Sequence, residues 1–267
     1  MFSMKGKGMK YPWAKWILGI ALAYAWGVPA IAEGKITVFA AVSLTNALKD
    51  ISKQYQMETQ IEVVVLYDSS FKLAKKIAEE ETLADLFISA DQQSMDYLAE
   101  KESIIAASRY TLLSNELVLV APIDNNIYNV AIDKQTNWKN LLDGGLLALG
   151  DFDHVPAGIY AKQALEYWEA WPMLEQKIVR TNNVRATLAL VELAKVPLGI
   201  VYGSDAITTD RVRVVGVFPD QSHKPIEYPM AIINGHDNPN VNAFYAYLKS
   251  PTASTIFKNN GFSVVKK

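Results

Sequence analysis

Five positions in this sequence could each present a hydrogen-bond donor to an anion: Ser43, Ser70, Ala157, Val184 and Tyr202. Ser43, Ser70 and Tyr202 offer hydroxyls, and Ala157 and Val184 offer backbone N–H groups. The corner Val155-Pro156-Ala157-Gly158 shows the logic. Pro156 suits the first position of a helix, where its missing N–H would go unused. The N–H of Ala157 then has no acceptor within the helix and stands at the positive end of the helix dipole. Gly158 has no side chain to crowd whatever approaches. At a second corner, Asn183 is placed to cap a helix and leave the N–H of Val184 in its exposed first turn. None of the five needs an acceptor, and none carries a formal charge. Such a set suits a fully ionised oxyanion held by neutral donors and helix dipoles. It suits protonated phosphate less well, because the phosphate proton would want an acceptor. Simpler readings stand beside this one: Ser43 and Ser70 as plain helix caps, Tyr202 as a half-buried core tyrosine, and the Ala157 corner as an ordinary strand-to-helix turn.

Other chemistries find less support. No Gly-x-Ser-x-Gly elbow occurs. Ser69-Ser70-Phe71-Lys72 matches Ser-x-x-Lys, but the companion motifs Ser-Asp-Asn and Lys-Thr-Gly are missing, and Lys72 is expected to face solvent. His154, His223 and His236 are scattered without metal-ligand spacing. The absence of cysteine removes thiol nucleophiles, zinc–thiolate sites and disulfides, and with them a lipid anchor on cysteine. A hydrolase using Ser43 or Ser69 is the rival from a different class.

The elements that must position these donors can be read from apolar periodicity. Strand-like runs occupy 35–41, 61–66, 83–90, 116–121, 146–150, 197–202, 212–218 and 226–233. Helix-like runs follow Ser43, which is placed as an N-cap, and Ser69-Ser70. Others occupy 92–100, 137–142, 159–168, 184–195, 240–249 and 252–259, a short helix follows the turn at 202–205, and Gly261 is the final cap. Strands alternating with helices predict an α/β fold with parallel sheets, in which ligands sit at the carboxyl ends of strands beside helix N-termini. All five donors fall at such places.

The N-terminus is separate in character. Lys5, Lys7, Lys10 and Lys15 precede an apolar run at 16–28, and Ala30-Ile31-Ala32 follows the small-x-small rule. This reads as a secretory signal peptide cut after Ala32; the run is short for a membrane span of about 20 residues. Its removal takes four lysines and no acid, so the formal net charge moves from −2 to −6. An acidic chain without a basic run is not expected to bind nucleic acid. An exported, unanchored protein points to a periplasm.

Several ordered segments carry a family resemblance: KITVFAAVSLT at 35–45, ADLFISAD at 84–91, HVPAGIYA at 154–161, VRATLALV at 184–191 and PLGIVYGSDA at 197–206. The mature chain resembles, nearly end to end, the periplasmic molybdate-binding components of molybdate ABC transporters. The resemblance implies a two-lobe, hinge-closing binding-protein fold of type II, with 33–116 plus 228–267 in one lobe and 117–227 in the other. It implies molybdate, and tungstate, as ligand without a further cofactor, and a membrane permease as partner to a monomer. It implies that the oxyanion is held by the hydroxyls of Ser43, Ser70 and Tyr202 and the amides of Ala157 and Val184. A carrier for sulfate or another tetrahedral oxyanion is the alternative within binding proteins. The chain departs from the family at 67–72, where Asp68 brings a carboxylate near the site and Ser69 rivals Ser70. It departs again at 81–83, where Glu-Thr-Leu replaces the usual Gly-Ala-Pro.

Overall fold

The computed structural model describes residues 1–3, 34–79 and 83–265. The signal-peptide reading and residues 81 and 82 of the second departure lie outside them. The strands, in chain order, are β1 (Lys35–Ala41), β2 (Glu62–Asp68), β3 (Leu86–Ile88), β4 (Tyr110–Ser114), β5 (Leu117–Pro122), β6 (Leu147–Gly150), β7 (Ile178–Thr181), β8 (Leu198–Tyr202), β9 (Val212–Val217), β10 (Glu227–Ile232) and β11 (Ser263–Val264). They form two sheets, one ordered β11-β4-β10-β3-β1-β2 and the other β7-β6-β8-β5-β9. The protein is thus a two-lobe α/β molecule.

The helices are α1 (Thr45–Thr59), α2 (Ser70–Ala78), α3 (Gln92–Glu100), α4 (Trp138–Leu142), α5 (Pro156–Tyr167), α6 (Trp171–Leu174), α7 (Val184–Glu192), α8 (Gly203–Ala206), α9 (Pro239–Leu248) and α10 (Pro251–Asn259). Each long helix buries one apolar stripe. In α1 the stripe is Ala47, Leu48, Ile51 and Tyr55, at helical spacing. β1 is apolar almost throughout because parallel neighbours and helices cover both of its faces.

The expected parallel sheets are only partly found. β1 pairs in parallel with β2 and β3, and β6 with β7 and β8. But β10 runs antiparallel to β3 and β4, and β5 runs antiparallel to β8 and β9. The physical reason is the path of the chain. It leaves the first sheet after β4, crosses at 115–116, and enters the second as β5. It returns through 218–226 and is inserted as β10 into the middle of the first. The strand that follows each crossing, β5 or β10, runs against the βα units around it.

The last helix ends at Asn259, as read from sequence, but its cap lies one residue before the glycine expected to supply it. Asn260 is the C-cap of α10, and Gly261 follows it with φ +79°. A Cβ there would stand 2.7 Å from Ile207 Cδ1 and 3.1 Å from Ser204 Cα, so glycine serves both the left-handed turn and a close approach to α8.

Candidate oxyanion site

All five donors line one cavity, at the carboxyl ends of β1, β2 and β8 and at the N-termini of α2, α5 and α7. Each is buried: Ser43 is 2% exposed, Ser70 1%, Ala157 1%, Val184 3% and Tyr202 1%. The space is small. Its size suits one compact ion.

The sheet containing β5–β9 supplies three donors. Val155 precedes α5 without a capping side chain and Pro156 opens the helix, so the N-terminus is bare as expected. Gly158 has a different role from the expected one. A Cβ there would lie 2.0 Å from the carbonyl oxygen of Gly150, so glycine lets α5 pack on the end of β6 rather than clearing a path for a ligand. In α7, Asn183 caps as expected: its Oδ1 accepts from Ala186 N at 2.9 Å and leaves the N–H of Val184 free of intrahelical bonds. Tyr202 ends β8. Its hydroxyl is buried without a protein partner, and burial holds its pKa well above the ordinary value, so it remains a neutral donor.

The other sheet supplies two hydroxyls. Ser43 is not the helix cap expected from sequence. A 3-10 turn over Val42–Leu44 intervenes, Leu44 is the N-cap of α1, and no side chain caps it. The Ser43 hydroxyl instead lies 2.9 Å from that of Tyr228. Ser70 is the first residue of α2, and its Oγ accepts from the backbone N–H of Ala90 at 2.9 Å. That bond occupies a lone pair and leaves the Ser70 proton for the cavity. Ser69, the N-cap of α2, also lines the cavity with a buried Oγ that has no partner.

Asp68 does line the cavity, but both of its oxygens are engaged. Oδ1 accepts from Ser69 N at 2.8 Å, and Oδ2 pairs with Lys72 Nζ at 2.5 Å. Lys72 is otherwise exposed, as expected, so no base stands against the serines; the histidines are elsewhere among the described residues. His154 faces Asp151 and His236 faces Asp85.

Two groups that sequence reasoning missed join the halves. Arg185, next to Val184, pairs with Asp205 at 2.5 Å, donates to Thr208 Oγ1 at 3.1 Å, and reaches across to the carbonyl of Ser43 at 3.3 Å. Burial raises the Asp205 carboxyl to about 6, against the pull of Arg185. Asn115, in the first crossing, bonds Ser204 and Tyr228. The adjacency of Arg185 to Val184 was the available signal for the first. For the second there was none, since its partners lie about a hundred residues away.

Two sheets, two crossings and a buried cavity between helix N-termini define a solute-binding protein. The match to known proteins agrees: residues 36–263 fit the bacterial extracellular solute-binding proteins, and the chain belongs to that family, whose members bind solutes for transport and are not enzymes. It is 52% identical over 257 residues to the molybdate-binding protein ModA of Escherichia coli (strain K12), covering 96% of this chain and 100% of that one. It is 41% identical to the molybdate-binding protein ModA of Haemophilus influenzae, covering 92% and 94%. Among solved structures, the periplasmic molybdate-binding protein of Azotobacter vinelandii superposes with a TM-score of 0.74 at 21% identity, covering 86% of this chain and 100% of that one; at that identity the likeness concerns the fold.

Proposed function

We propose that this chain captures molybdate, and also tungstate, in the periplasm and delivers it to the membrane permease of an ABC transporter. The observation that carries this reading is the cavity's donor set. Five groups on two sheets converge there, all can donate, none is cationic, and the one carboxylate is already engaged. Near neutral pH molybdate and tungstate carry no proton, so every oxygen can accept and nothing is left unpaired. Monohydrogen phosphate would bury an O–H facing donors, at a cost of roughly 1–3 kcal/mol. Sulfate escapes that penalty but is smaller and would reach fewer of the donors at good distance. The names of the two ModA relatives support the same ligand.

The five positions are buried, so a ligand enters only when the lobes part. We take 33–116 plus 228–267 and 117–227 as the moving bodies, with the crossings as hinge. Ser43 and Ser70 then belong to one body, and Ala157, Val184 and Tyr202 to the other. A ligand touching both stabilises only the closed state, so binding shifts the hinge equilibrium and lets a permease tell loaded from unloaded protein by shape. In this reading the protein works as a monomer without a cofactor, after loss of residues 1–32.

Thermal unfolding tests the reading. Molybdate at about 100 times its dissociation constant should add roughly 2.7 kcal/mol of stability. An unchanged Tm in excess molybdate, with a clear rise in sulfate, would reassign the ligand.

A further inference from the structure

A serine hydroxyl at a cavity wall can face the ligand with its proton or with its lone pair. At Ser43 the choice is made by two side chains behind it. Asn115 Oδ1 accepts from the backbone N–H of Glu116 at 2.9 Å, which assigns the two ends of the amide. Its Nδ2 therefore points the other way, donating to Ser204 Oγ at 2.7 Å and to the Tyr228 hydroxyl at 3.2 Å. Tyr228 is wholly buried, and burial keeps its hydroxyl protonated. Having accepted from Asn115, that hydroxyl must still place its own proton. Ser43 Oγ, 2.9 Å away, is the acceptor at hand. The opposite arrangement, Ser43 donating to Tyr228, would leave the tyrosine proton buried without a partner.

We infer that Asn115 and Tyr228 are positioning residues that set the polarity of Ser43. They occupy one of its two lone pairs from behind and leave its proton free to turn into the cavity, and this relay disfavours a protonated tetrahedral oxyanion on that side of the site. The inference rests on the oxyanion reading above and extends it to residues outside the cavity lining. Ser70 receives the same treatment from a backbone N–H, that of Ala90. The Ser43 relay differs in running through two side chains, so it can be reversed by substitution. Asn115 also sits in the crossing and bonds a residue of α8 as well as Tyr228, so the setting is made by groups from both sheets.

Asn115→Asp reverses the relay. A carboxylate at 115 still accepts from Glu116 N–H, and it now accepts from Ser204 and Tyr228 as well. Tyr228 turns its proton toward it, Ser43 donates to Tyr228, and a lone pair faces the cavity. The readout is the ratio of affinities for sulfate and for monohydrogen phosphate, measured on the full chain above neutral pH by displacement of molybdate. The two dianions have equal charge, so the field of the new carboxylate cancels in the ratio and the ligand proton remains. In Asn115→Asp the preference for sulfate over phosphate should fall at least about tenfold. Tyr228→Phe keeps the ring and frees the Ser43 hydroxyl to turn either way, so the preference should fall by a smaller factor. An unmoved ratio in a folded Asn115→Asp protein overturns the relay; should that variant not fold, an unmoved ratio in Tyr228→Phe does so. A wild-type chain that binds neither molybdate nor sulfate overturns the oxyanion reading and the relay with it.

Discussion

The two sides of the cavity reach the same end by different means. The α5 and α7 side presents two backbone N–H groups at the cavity, at positions set by where a helix begins. The α1 and α2 side presents two hydroxyls, each bonded from behind, by Tyr228 at Ser43 and by the Ala90 N–H at Ser70. Backbone donors are rigid and indifferent to the side chain that carries them. Hydroxyl donors are adjustable, and each can be converted into an acceptor. A site built only of backbone would be hard to retune, and a site built only of hydroxyls would be hard to keep free of protonated ligands. Tyr202 belongs to the first side by position and to the second by chemistry, with burial rather than a partner holding its hydroxyl in place.

The largest effect should come from disturbing the rigid side. Gly158→Ala puts a methyl group 2.0 Å from the Gly150 carbonyl oxygen. The start of α5 must move, and stability should fall by roughly 3 kcal/mol with loss of molybdate binding. Urea unfolding and calorimetry measure the two effects. A variant of wild-type stability and affinity would show that the Ala157 amide is not fixed by this packing.

Val184 allows the backbone claim to be isolated. It is the first residue of α7, where proline is tolerated, and Asn183 before it is extended, as a residue before proline prefers. Val184→Pro should delete one donor without unwinding the helix and weaken molybdate binding by about 1.5–3 kcal/mol. Val184→Ala keeps the donor, so binding should change by less than about 1 kcal/mol although a buried side chain is trimmed. Equal losses in the two variants would mean that the side chain, not the amide, matters.

The hydroxyls should separate by their effect on the protein without ligand. Ser43→Ala, Ser70→Ala and Tyr202→Phe should each cost about 1.5–3 kcal/mol of binding. Ser43→Ala and Ser70→Ala also strip Tyr228 and the Ala90 N–H of a partner, so ligand-free stability should drop by about 1 kcal/mol. Tyr202→Phe removes a hydroxyl that had no protein partner and should leave ligand-free stability unchanged or slightly raised. A Tyr202→Phe protein less stable than Ser43→Ala would contradict that distinction. Ser69→Ala should weaken binding less than Ser70→Ala.

A pH-dependent effect, read on stability rather than on binding, tests the arginine that spans the two sides. Asp205 is buried, and its carboxyl is raised from 3.8 to about 6. Between those values the native state holds a proton that the unfolded chain has released. The Asp205 contribution to stability is therefore full below about pH 4 and is lost as pH rises through about 6, a change on the order of 3 kcal/mol. Asp205→Asn should flatten that slope in denaturant titrations across this window. It should also loosen the hold of Arg185 on the Ser43 carbonyl. An unaltered slope in Asp205→Asn would place the titration elsewhere.

The local features were legible in the sequence. Pro156 announced the start of α5, Asn183 the start of α7, and the apolar runs most strands within a few residues. Long-range features were not. The strands β4, β7 and β11 were not read from the sequence, and nothing local reveals that β10 inserts between β3 and β4. Ser43 illustrates the boundary. A serine between a strand and a helix looks like a cap, and only the 3-10 turn and a tyrosine 185 residues away show that its hydroxyl is free for other use.

Competition calorimetry at neutral pH tests the central claim, that the cavity is a set of neutral donors with no acceptor to spare. Molybdate should bind one to one and tungstate should match it. Sulfate should displace it only at far higher concentration, and phosphate least of all. Phosphate displacing molybdate at comparable concentration would contradict the account: an acceptor, with Asp68 the first suspect, would then be serving the ligand rather than Ser69 and Lys72.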